Sequence, residues 1–148
     1  MATFWDRATR EELCRRVNQL TPDAQARWGK FTPSQMLAHL NDAMRMATGD
    51  LPVASKHLPI RYFPLKQLIL YVLPFPKGAP TAPELLARCD GADLAAEQAE
   101  FTKLAESTAA RSSTARWPEH PAFGPLTHEA WGKLIRKHTE HHLRQFGV

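Results

Sequence analysis

Apolar and polar positions alternate along most of this chain with a helical period. Leu13, Val17 and Leu20 recur at helical spacing and predict a first helix from about Asp6 to Leu20. Thr32-Pro33 is a start signal, a threonine cap followed by a proline suited to the first turn. The helix it opens reads PSQMLAHLNDAMRMATG and stops near Gly49. Residues 49 to 64 are irregular, broken by Pro52, Pro59 and Pro64. The apolar run LKQLILYVL fits a short buried helix or a strand, since Ile69 and Val72 are β-branched. Helix is preferred, because Pro64 suits a first turn and no partner strand is evident. Asp93 caps a further helix, LAAEQAEFTKLAESTAA, rich in good helix formers. Thr127 caps the last, which runs to about Phe146 before Gly147. Four substantial helices and no convincing strand predict an all-α bundle in a single domain, residues 1–148. The connection between the second and third long helices, about 49 to 92, is long enough to form a lid or a site wall.

The phase of the last helix carries the chemistry. Each residue turns the helix by about 100°. With Trp131 at zero, Leu134, Ile135, His138, His142 and Gln145 fall within about 60° of it. Lys133, Arg136, Lys137, Glu140 and Arg144 point the other way, and His141 lies at the stripe's edge. His138 and His142 therefore lie on the core-facing side, one above the other and about 6 Å apart along the axis. Two adjacent buried imidazoles do not readily both protonate, and each needs a partner. A divalent metal is one partner that serves both. Hydrogen bonding within a metal-free core is the other reading. The spacing is not that of a zinc protease: Thr139 follows His138 where HExxH needs glutamate, and His141 stands where HxxEH needs it. Glu140 is on the opposite face and reads as a surface charge.

A metal centre commonly takes at least three protein ligands. His128 is too far along the same helix, His57 is in an irregular segment, and His120 is in the loop WPEHPAFG. His39, in QMLAHLNDAM, shares a helix face with Met36, Ala43 and Met46 and is the best third candidate. Asp42, about one turn on, is placed either to orient a ligand or to sit at the surface.

Composition narrows the classes. The chain has 148 residues and a net charge of +4, with basic residues scattered rather than gathered into a stripe. That argues against a nucleic-acid binder. Two cysteines, Cys14 and Cys89, lie far apart with no CxxC, so neither a disulfide framework nor a zinc knuckle is indicated. No signal peptide is visible, and Leu65 to Phe75 is too short and too polar to span a bilayer. A soluble cytoplasmic protein is expected, with neither nucleic acid nor membrane as partner.

These residues resemble the DinB-like family of metal-binding four-helix bundles. Trp28 with LAHL around His39 matches that family's segment on the second helix, and His138, His142 and Gln145 match its HxxxHxxQ on the last. The stretch HPAFGPLTHEAW followed by HxxxHHLxQF looks like a subgroup known only as a domain of unknown function. The resemblance covers roughly residues 28 to 48 and 117 to 146. It implies a divalent ion, zinc or nickel, held by His39, His138 and His142 with positions left open for water. It also implies a low-molecular-weight thiol as co-substrate in some relatives, and a homodimer as a common assembly.

Two classes of function follow from this. One is a metal-dependent S-transferase-like enzyme or hydrolase acting on a small molecule, with Asp42, His120 and His141 as candidate helpers. The other is a non-catalytic, metal-stabilised binding module. A bundle without metal is the third reading, in which His138 and His142 serve stability alone.

Overall fold

The computed structural model describes residues 2–148. The order is α1 (Arg7–Val17), α2 (Pro33–Thr48), α3 (Leu65–Gln67, running on into a π turn over Leu68–Val72), α4 (Leu94–Ala110) and α5 (His128–Gln145). Short 3-10 turns at Pro59–Arg61 and Pro83–Leu85 punctuate the connection between α2 and α4. No strand occurs among the described residues, apart from an isolated bridge between His120 and Gly124. The fold is all-α, as the periodicity predicts. No described helix is long and apolar enough to cross a membrane.

The caps are made by the residues that signal them. Thr32 Oγ1 accepts from the Gln35 amide at 3.2 Å, and Gln35 Oε1 accepts from the Thr32 amide at 3.0 Å. This reciprocal box satisfies two helix-end donors, worth about 1 kcal/mol per cap. Asp93 and Thr127 likewise accept from Ala96 and Ala130. Gly49 closes α2 in the left-handed region at φ 88°, which a residue with a Cβ adopts only at a cost. The first helix ends sooner than its pattern implies, at Val17. Leu20 is still buried, because the chain turns back onto the core there.

α1 and α2 each pack against both α4 and α5. Their apolar stripes meet in one core that includes Phe4, Leu13, Val17, Leu37, Phe101, Trp131 and Leu143. A polar seam joins α2 to α4. Asn41 Nδ2 donates to Glu97 Oε2 at 2.6 Å, and Arg88 pairs with both Glu97 and Asp42. The N-terminal segment is strapped across α5: the Trp5 indole stacks on His128 at 4.3 Å and donates to its carbonyl at 2.8 Å.

Leu65–Val72 is helical rather than extended, but of its residues only Leu70 is buried. The expectation of a buried helix is thus corrected. The segment is held along α5 by Lys137 on the Ile69 carbonyl and by Lys133 over the Tyr71 ring. Tyr62, Phe63, Leu68, Val72 and Leu73 are left on the surface.

Candidate metal centre

Two helices bring the three histidines together. His39 projects from the middle of α2 and is 3% exposed, while His138 and His142 project one turn apart from α5. Among the described residues, these three form the one group of potential ligands close enough to share an ion, with ligand atoms all within 4.8 Å of one another. His138 Nε2 is 3.0 Å from His39 Nε2 and 3.2 Å from His142 Nε2. Two imidazoles bound to one tetrahedral ion would stand about 3.3 Å apart. The donor set is therefore already near that geometry.

Hydrogen bonds on the far side of two rings determine which nitrogens face inward. The His39 Nδ1 lies 3.3 Å from the Leu85 carbonyl, which can only accept, so Nδ1 carries the proton and Nε2 the lone pair. Gln145 gives the same outcome for His142. Its amide nitrogen donates to the Trp28 carbonyl at 2.8 Å, which leaves Oε1 to accept from His142 Nδ1, also at 2.8 Å. Two inward lone pairs then face His138 Nε2, which can give a proton to one of them at most. The other lone pair is then left without a donor. A cation resolves that conflict by accepting from all three, and carbonyl or amide partners behind ligating histidines are what metal sites use to fix ring orientation. The residues present fit a divalent ion.

The electrostatics agree. Burial pushes His39 down to about 4, opposed by its bond to Leu85. Burial, reinforced by His39, pushes His142 down to about 3. Burial and then its neighbours His142 and His39 hold His138 well below the ordinary histidine range. All three are neutral at pH 7, the state a metal requires.

The triad opens onto a cavity of about 590 Å³, within the range of small-molecule sites. α2 contributes Leu40 and Met44, and α5 contributes Trp131, Leu134 and Ile135. The long connection supplies another wall, with Val53, Leu58, Ile60, Phe75 and Leu85. Its exposed stretch, residues 62 to 73, lines none of it. Phe31 lies against His39 and His142, and Phe75 against His138, with ring centroids 5.5 to 5.9 Å apart. Sequence reasoning missed these two aromatics. Both are loop residues with no periodicity to mark the direction they face.

The remaining candidates separate. His141 lines the cavity beside His142 and Trp28, with a pKa lowered chiefly by burial and then by Arg144 and Lys77. His120 also lines the cavity, on a different wall formed by the loop before α5. Asp42 does not line it: the carboxylate is buried and accepts from Arg45 at 2.7 Å and Arg88 at 3.0 Å. His57 is exposed, and His128 is stacked on Trp5. Cys14 and Cys89 are free thiols whose pKa burial raises, which disfavours the nucleophilic thiolate.

No curated protein and no solved structure matches the chain. Residues 6–147 match the model of one protein family, and the chain belongs to it: the family described as Protein of unknown function (DUF1569).

Proposed function

We propose that this protein is a divalent-metal-dependent helical domain that acts on a small molecule, as a transferase using a low-molecular-weight thiol or as a hydrolase. The single observation that carries this reading is the convergence of the His39, His138 and His142 Nε2 atoms at the wall of an apolar cavity. His39, His138 and His142 would hold the ion through neutral imidazoles, and the ion would supply a lowered pKa to a water or thiol that joined it. His39 and His142 bind in fixed orientations, through Leu85 and Gln145. Phe31 and Phe75 limit water around the triad. His141, neutral and next to His142 with ring centroids 5.1 Å apart, is the group positioned to take up a proton on its imidazole nitrogen. Zinc and nickel both suit an all-histidine set. The same reading takes the fold as the four-helix bundle of the DinB-like family. Its support is the mutual packing of α1 and α2 with α4 and α5, and the juxtaposition of Trp28, His39, His142 and Gln145.

One observation favours a second reading, a non-catalytic binding module. No carboxylate lines the cavity among the described residues, so a strong general base is missing beside the triad. Metal content decides the common part of both readings. Tag-free protein should carry near-stoichiometric metal by elemental mass spectrometry, and the His138→Ala/His142→Ala double variant should carry none. A wild-type protein that stays empty after reloading with zinc or nickel would overturn both.

A further inference from the structure

The long connection between α2 and α4 carries a surface that the metal centre does not use. From Leu51 to Pro83 it contains four cations, Lys56, Arg61, Lys66 and Lys77, and no acidic residue. The net charge of +4 therefore sits in this segment, and the remainder of the chain is balanced. Arg61 is held by Glu119 at 2.7 Å, but Lys56, Lys66 and Lys77 pair with no carboxylate among the described residues. The same segment concentrates exposed apolar surface. Eight of the nine exposed large apolar side chains among the described residues lie between Leu58 and Leu73, the ninth being Leu86. Phe63 is 80% exposed, Val72 70% and Tyr62 61%. Single exposed apolar residues are ordinary, whereas a contiguous set marks a surface that meets something. Local folding explains the arrangement. The turns of Leu65–Val72 seat Ile69 and Leu70 against the core, and so leave Leu65, Leu68 and Val72 on the outer side.

We propose that this face docks on an anionic lipid surface, with its exposed aromatic and aliphatic side chains in the headgroup boundary and its unpaired lysines supplying the attraction. Exposed Phe, Tyr and Leu beside lysines, with no acid among them, is the composition that interfacial segments use. Charge decides between lipid and a second copy of this chain. A symmetric dimer through this face would set the three unpaired lysines against the same three, and like charges across an interface are costly. An anionic membrane meets them with opposite charge. No described helix is long and apolar enough to cross a bilayer, but lying on its surface requires none. Leu58 is both exposed and part of the cavity lining, so the docked face extends to the rim of the cavity. The inference stands apart from the metal, because no residue of the triad takes part in it.

The test floats the tag-free full chain with two kinds of vesicle, pure phosphatidylcholine and a three-to-one mixture of phosphatidylcholine and phosphatidylglycerol. A lysine near an anionic surface is worth about fivefold in affinity, so the mixed vesicles should bind at least about tenfold more tightly at low salt. Raised salt should remove most of that difference, because the attraction is screened. The Phe63→Ser/Val72→Ser variant should lose binding to the mixed vesicles by about tenfold or more. Its melting temperature should stay that of the wild type, since neither side chain is buried. In wild-type protein, amide exchange over residues 62–73 should slow when mixed vesicles are added, while exchange in α4 is unchanged, a readout that does not depend on the variant folding. Equal binding to the two kinds of vesicle, a double variant that floats like the wild type, or unchanged exchange over residues 62–73 would overturn the proposal. So would a wild-type dimer in analytical ultracentrifugation that the double variant dissolves, which would give this face to a second copy of the chain.

Discussion

Gln145→Leu tests whether the orientation of His142 matters separately from its presence. The native side chain links two groups: its oxygen receives the His142 Nδ1 proton and its nitrogen feeds the Trp28 carbonyl, both at 2.8 Å. Leucine has similar bulk and serves neither. Two partners in a part-buried site then lose their hydrogen bonds, at about 1–3 kcal/mol in total once relaxation is allowed for. In a chain of this size that lowers the melting temperature by about 3–10 °C. The effect on the metal should be larger than on the fold. With Oε1 gone, nothing holds the proton on Nδ1, and His142 is free to carry it on Nε2, facing the triad. That tautomer must be reversed before the nitrogen can bind an ion. Removal of such an orienting partner typically weakens metal binding by about 10–100-fold. Competition with a chromogenic zinc chelator, read beside thermal unfolding of the zinc-free protein, measures both quantities. A variant with lowered melting temperature and unchanged zinc affinity would refute the tautomer argument and reduce Gln145 to a structural link.

Other outcomes follow from the same geometry. Gly29 has φ 75°, and a Cβ there would stand 2.8 Å from Gln145 Nε2, so Gly29→Ala should weaken zinc binding in the same assay without removing any ligand. A Cβ at Gly132 would come within 2.7 Å of Trp5 Cδ1. Gly132→Ala should therefore destabilise by about 2 kcal/mol by chemical denaturation, although alanine is the better helix former. His120 titrates near 4 in the folded chain against about 6.5 unfolded, so unfolded protein binds more protons between those values. The stability this residue contributes is full above pH 6.5 and is lost as pH falls toward 4, by up to about 1.4 kcal/mol per unit. His120→Gln should make the stability of metal-free protein less steep in that window, as followed by urea unfolding at each pH.

What the chain determined by itself was local and periodic. Thr32-Pro33, Asp93 and Thr127 mark the starts of α2, α4 and α5 because a cap is made by residues within three positions of it. The inward phase of His138 and His142 is legible for the same reason: helical geometry ties direction to spacing. His39 is only suggested by its place on an apolar arc, because the direction it faces matters only once α2 and α5 are packed together. Asp42 shows the limit of that reasoning. One turn from His39 it reads as a helper, but Arg88, forty-six residues away, holds its carboxylate at the α4 seam. The exposure of Leu65–Val72, the aromatic walls Phe31 and Phe75, and the orphan indole of Trp131 were likewise decided by tertiary structure. Periodicity shows that Trp131 turns inward. Whether its N–H finds an acceptor there depends on groups brought in by distant loops, and no local pattern encodes them.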